Sequence, residues 1–228
     1  MGAIFALIGA AFAFLAIPPA VKALIGRVVA RGGADVAASA GAVSPRVRAA
    51  CAAAFGIACG WAAWSVCSSG SMRMPFDLLD AACWIAVWAS LIAATACDVA
   101  ARVIPRESCW VIAAAGAALQ AVSAGAPALA AGAACGCACA GFCLLANRLA
   151  QRLGRGRMVG GGDARCMAAL SIASGFGALE GFAVCFSAAA VVAAGGTLLG
   201  RLRRGAAVPL APFFCLWAVF GVGGALMP

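Results

Sequence analysis

No histidine and no tyrosine occur anywhere in these 228 residues, and Lys22 is the single lysine. Without histidine a Ser-His-Asp or Cys-His nucleophile is impossible, and so is the two-histidine zinc motif of membrane metalloproteases. Acid–base chemistry therefore falls to carboxylates, of which there are seven: Asp35, Asp77, Asp80, Asp98, Glu107, Asp163 and Glu180. Charged residues make up only 10% of the chain, too few to cover a water-soluble domain of this length.

Apolar residues are what the chain has in quantity: 66% are hydrophobic and the mean hydropathy is +1.07. A bilayer-crossing helix takes roughly 20 apolar residues. The expected fold is therefore all-α: a polytopic membrane protein with one membrane-embedded domain over 1–228, short loops and about eight transmembrane helices. Hydropathy and helix breakers put these at about 3–25, 49–67, 78–97, 108–124, 127–147, 164–176, 178–200 and 208–227. The first has no basic residue ahead of its apolar run, which argues for a retained helix, kinked at Pro18 and Pro19, rather than a cleaved signal. Only a tight turn at Gly175 and Gly177 separates the sixth from the seventh, and a single broken helix is the competing reading.

The thirteen cysteines lie in apolar, alanine-rich stretches and no pair has Cys-x-x-Cys spacing. Neither a metal nor a cofactor is expected from them. Cys135, Cys139 and Cys143 recur at every fourth position, which sets them on one helical face as small packing residues.

Basic residues gather in alternate loops. Lys22, Arg27, Arg31, Arg46 and Arg48 surround the first; Arg102 and Arg106 the third; Arg148, Arg152, Arg155, Arg157 and Arg165 the fifth; Arg201, Arg203 and Arg204 the seventh. Arg73 alone falls on the other side, with Asp77, Asp80 and Glu180. By the positive-inside rule the basic loops are cytoplasmic and both termini lie outside. The net charge of +9 is then an orientation signal, and no nucleic-acid partner is expected.

Asp98 closes the third span and Asp163 opens the sixth, with two spans between them, so the chain crosses out and back and returns both carboxylates to one face. An ionisable group at the hydrocarbon edge costs up to about 3 kcal/mol and is a functional candidate by default. Two adjacent carboxylates cannot both ionise cheaply; one keeps a proton while the other acts as general base on a shared water. The competing reading makes each a helix-end residue, with Asp163 favoured there by the helix dipole. Gly160, Gly161 and Gly162 ahead of Asp163 predict an unwound, water-accessible entry. Pro105 is expected to stop the third helix, leaving Arg102 and Arg106 at lipid headgroups.

Three separated stretches resemble the type IV prepilin peptidases, membrane aspartyl proteases of the Gly-x-Gly-Asp type. They are Asp98-Val-Ala-Ala-Arg102-Val-Ile-Pro105, then Gly160-Gly161-Gly162-Asp163 with Arg165, then Val208-Pro209-Leu210-Ala211-Pro212-Phe213. The resemblance implies that Asp98 and Asp163 are the catalytic pair. It also implies that Gly160, Gly161, Gly162, Pro105, Arg102, Arg165, Pro209 and Pro212 support them. The implied reaction is removal of the basic leader from prepilin-like or pseudopilin-like precursors at the cytoplasmic face of the bacterial inner membrane, with pilus or secretion components as further partners. Glu107 and Asp35 are the acids suited to meet basic leader residues. Arg106 stands where the family commonly has Asn, Arg165 where it has Lys, and Leu210 with Ala211 where it has Phe-Gly; both carboxylates are unaffected. The first cytoplasmic loop, 26–48, has no Cys or His, so the zinc site of bifunctional members is excluded and N-methylation is unsupported. Two other classes use the same residues: a small proton-coupled transporter with the two Asp as a relay, and a catalytically silent assembly partner.

Overall fold

The computed structural model describes residues 2–30, 43–68, 74–154, 159–202 and 208–222. Asp35, Arg31, Arg73, Arg155, Arg157, Arg203 and Arg204 lie outside the described residues. Among the described residues there is no strand. The helices are α1 (Gly2–Ala30), α2 (Pro45–Ser68), α3 (Met74–Ala101), α4 (Arg106–Ser123), α5 (Gly125–Arg152), α6 (Gly161–Ser174), α7 (Ala178–Leu198) and α8 (Ala211–Trp217). A π-helical turn, Ala218–Val222, continues α8. Each helix falls on one of the apolar stretches expected from the sequence. Five segments of the described residues are long and apolar enough to cross a membrane, one of them running through α6 and α7 as Gly161–Leu198. The stretch Ala211–Val222 is apolar but shorter.

Several boundaries differ from expectation. Helix α1 passes unbroken through Pro18 and Pro19 to Ala30, and α2 begins at Pro45, so the expected loop 26–48 is partly helix and only 31–42 of it lies outside the described residues. Helix α3 continues to Ala101 and takes Asp98 into its last turn.

Contacts fix the helix directions. Asp98 and Thr95, near the end of α3, touch Ala211 at the start of α8. At the other end of α8, the indole N–H of Trp217 donates to Ser174 Oγ at the end of α6 (3.1 Å). Thus α6 and α8 run the same way. Helix α7 runs back: Gly177 abuts the Gly221 backbone, Gly181 the Trp217 ring, and Phe182 stacks edge-on with Trp217 at 5.6 Å. The 3-10 turn Gly175–Gly177 is therefore a true reversal between two helices rather than a kink in one, and Gly175 at φ +54° supplies the left-handed backbone it needs.

Helix α6 is the central element, held between α4 and α5. A Cβ on Gly116 would overlap Ala173, and one on Gly132 would come within 2.5 Å of the Ser171 carbonyl. Backbones approach this closely only because those positions carry no side chain, which is how membrane helices gain van der Waals contact without a hydrophobic driving force between them. Gln120, fully buried on α4, donates to the Ala173 carbonyl at 2.7 Å and secures α6 just before the reversal.

Candidate active site

The end of the bundle away from the reversal turn assembles the three stretches singled out in the sequence. Asp98 is 6% exposed. Its backbone carbonyl accepts the Arg102 N–H at 2.8 Å, and Arg102 then adopts φ +54°, which ends α3. The helix is stopped there, not at Pro105, which lies buried at the N-cap of α4 with φ −63° and ψ 137°. Proline suits that place because no N–H is required of it.

The side chain of Asp98 accepts a hydrogen bond from the Ala211 N–H (3.2 Å to Oδ2), while Thr95 donates its hydroxyl to the Ala211 carbonyl (3.2 Å). Residues three apart share a helical face, so α3 holds one residue of the 208–213 stretch by both of its backbone groups. Pro212 occupies the first turn of α8, and Pro209 is half-buried just before it.

Asp163 is half-buried in the first turn of α6. Gly160, at φ −66° and ψ 148°, is the N-cap residue, and the Asp163 carboxylate folds back against it: a Cβ on Gly160 would stand 2.8 Å from Asp163 Oδ2. Gly161 and Gly162 are already helical, so of the three glycines expected to be unwound only Gly160 is outside the helix. What Gly162 supplies is space: a Cβ there would come within 3.0 Å of Ile104 Cβ and 3.4 Å of the Ile104 carbonyl. The Gly-Gly-Gly-Asp stretch thereby abuts the Val-Ile-Pro stretch, and the two carboxyls come within electrostatic reach of each other.

The remaining predicted residues lie around this pair. The Arg102 side chain is exposed, yet its charge acts on Asp98. Arg165, exposed, donates Nε to the Gly161 carbonyl at 2.9 Å and lines, with Arg106, Trp110 and Ile172, a groove of about 470 Å³ between α4 and α6. Both carboxylate oxygens of Glu107 are covered by neighbouring atoms. Among the described residues no group of three or more His, Cys, Asp and Glu is placed to hold a metal ion.

Sequence reasoning missed Thr95 and Asn147, and gave Ile104 and Ala211, which lie inside the stretches it singled out, no contact of their own. The amide of Asn147, near the end of α5, donates to the Val159 carbonyl and accepts the Val159 N–H, both at 2.9 Å. A signal for it existed: Asn147 is the next step of the every-fourth-residue series Cys135, Cys139, Cys143. Ala211 was marked only as part of the third stretch; its bond to Asp98 was not foreseen, because its backbone rather than its side chain makes it.

A carboxylate has about four lone-pair sites, and one backbone bond leaves room for water. Two carboxyls within electrostatic reach of each other resist ionising together, so one tends to keep its proton while the other is free to act as a base.

Residues 84–223 match the model of the type IV leader peptidase family. That span contains all three stretches and omits α1, α2 and the start of α3. No curated protein and no solved structure matches the chain.

Proposed function

This chain belongs to the type IV leader peptidase family, and from that membership we propose that it is a membrane aspartyl endopeptidase in which Asp98 and Asp163 activate one water. The observation that supports the reading is the meeting of three separated stretches around two carboxyls: Ala211 on Asp98, Ile104 against Gly162, and Asp163 within electrostatic reach of Asp98. A peptidase needs this convergence; helix-end acids with only a snorkelling role do not.

In the proposed reaction one carboxylate takes a proton from the water as its oxygen attacks the scissile carbonyl carbon, and the protonated partner hydrogen-bonds the developing oxyanion. Collapse breaks the C–N bond, and the proton passes to the leaving amine. The products are a leader with a new carboxylate and a mature chain with a new amino terminus. No step calls on a metal.

Long apolar helices and the family together mark an integral membrane protein. We extend this to eight spans with both termini outside, in the bacterial inner membrane. Arg27 lies in the last turn of α1, Arg102 and Arg106 between α3 and α4, Arg148 and Arg152 near the end of α5, Arg165 in the first turns of α6 and Arg201 just after α7, all toward the end that holds Asp98 and Asp163, which we take by the positive-inside rule as the cytoplasmic end. The substrate is then a precursor whose basic leader lies in the cytoplasm and whose apolar helix enters the bilayer, as prepilin-like and pseudopilin-like chains do. Arg102, Arg165, Pro105, Pro209, Pro212 and the three glycines maintain the geometry; acids such as Asp35 and Glu107 are candidates for meeting the basic leader.

The test is direct. The protein reconstituted in liposomes is mixed with a precursor bearing a short basic leader ahead of a hydrophobic segment, and the products are read by intact mass. One cut at the leader junction is expected; an uncut precursor under conditions where the reconstituted protein is folded would overturn the reading.

A further inference from the structure

Each carboxyl of the pair lies against a backbone segment outside its own helix's regular ladder, and each of those segments is held by an uncharged polar side chain. Asp98 accepts the Ala211 N–H, and Ala211 is gripped by Thr95. Asp163 Oδ2 lies against Gly160, 2.8 Å from where a Cβ on that residue would stand, and the residue before it, Val159, is gripped by Asn147 through two hydrogen bonds. From this we infer that Asn147 is a positioning residue for Asp163: it fixes the Gly160 backbone against which the carboxylate rests, and through it sets the orientation of the carboxylate toward Asp98.

Gly154 sits at φ +68°, and Gly160, Gly161 and Gly162 follow Val159. Glycine loses more conformational freedom on ordering than any other residue, so Gly160 does not by itself hold its backbone in a fixed direction. Contact with Gly160 orients Asp163 only if Gly160 is itself held. Asn147 meets that need with a single side chain, since an amide carries both a donor and an acceptor and can pair with the two backbone groups of one residue as a strand neighbour would. The two bonds bridge twelve residues of chain, from α5 to the start of α6, and lie in a partly buried setting where a lost partner leaves a backbone group unsatisfied.

Position on α5 supports the same role. Asn147 continues the face of Cys139 and Cys143, both buried, and Cys143 is itself within electrostatic reach of Asp163. The face that packs α5 onto α6 with small residues ends in Asn147, which bonds to Val159 ahead of α6. Isosteric apolar substitution keeps the packing and removes the bonds.

This inference rests on the reading of Asp163 as a catalytic group, and the experiment is arranged to separate the two. Asn147→Leu, Asn147→Gln and Asp163→Asn are reconstituted at matched amounts of folded protein, and precursor cleavage is resolved into kcat and KM. A misplacement of a reacting group by about 1 Å costs on the order of 100-fold in rate. For Asn147→Leu a fall in kcat of about 10- to 100-fold is expected, with KM within about threefold of wild type, because precursor binding does not depend on the carboxylate's orientation. Asn147→Gln keeps both amide functions and should recover part of that loss. Unchanged kcat in Asn147→Leu, an effect confined to KM, or a Gln variant no faster than the Leu variant would each overturn the positioning role. Wild-type cleavage by Asp163→Asn would instead overturn the catalytic reading beneath it, whatever Asn147→Leu does.

Discussion

The α1–α2 hairpin and the α3–α8 bundle are made of the same apolar, small-residue material, yet they differ in what they bury. Thr95, Asp98, Ser108, Gln120, Ser171 and Ser174 are the buried polar or charged residues among those described, and all lie in α3 or later helices. The hairpin is held by close packing: Gly9 lies against Cys59, and Gly56 against Ala6 and Ala10. The family match begins at residue 84 and so falls on the half with the polar interior. Hydrocarbon packing alone gives helices that hold together, whereas a buried polar group needs a partner at a set distance and so fixes register. The site is built where such partners accumulate: Thr95 on Ala211, Gln120 on Ala173, Trp217 on Ser174.

Beyond the carboxyls themselves, the largest effect should come from a wedge placed between two of the converging stretches. Gly162→Val puts branched carbon where even a lone Cβ would stand 3.0 Å from Ile104. Displacement of Asp163 from Asp98 should lower kcat by about 100-fold while the protein remains inserted, as measured by single-turnover cleavage in liposomes. A variant within about threefold of wild type would show that the contact of these stretches is incidental to the chemistry.

A comparable wedge in the hairpin should act differently. Gly56→Leu forces a side chain into a site where a Cβ would already lie 2.5 Å from the Ala6 carbonyl. Overpacking of this kind costs about 1–3 kcal/mol. Thermal unfolding in detergent should show a lowered midpoint and less folded protein, while kcat per folded molecule stays within about twofold. A kcat loss as large as that of Gly162→Val would mean that the hairpin takes part in the site and would erase the contrast.

Much of this architecture was legible beforehand because apolar runs in a chain with so few charges leave little choice but helices. The expected stretches each found a helix, and their number and spacing put Asp98 and Asp163 at one end. Helix ends were less legible. The 78–97 stretch continues to Ala101 because an apolar-run criterion ends at the first charge, whereas the hydrogen-bond ladder carries Asp98 inside and ends only where Arg102 turns left-handed. Gly161 and Gly162 suggested unwound chain, since glycine permits it; the structure uses Gly162 for close approach to Ile104, a property of the neighbouring segment that no local pattern encodes. The pairing of Ala211 with Asp98 joins residues 113 positions apart through a backbone N–H, and side-chain chemistry gives no hint of it. Asn147 is the intermediate case, on a face the cysteine spacing had already traced.

Asp163 has two roles available to it, a helix-end acid in the first turn of α6 and proton transfer with Asp98, and one substitution separates them. Asparagine keeps the size and an acceptor oxygen but cannot exchange a proton with a water. The most direct test is therefore precursor cleavage by Asp98→Asn, Asp163→Asn and the double variant, each reconstituted and shown to be folded. Groups that act as a unit are lost together: either single variant should fall to background, and the double variant should be no slower than the singles. Leader removal by Asp163→Asn at the wild-type rate would mean that Asp163 is only a helix-end acid of α6, and the account of a catalytic pair would fail.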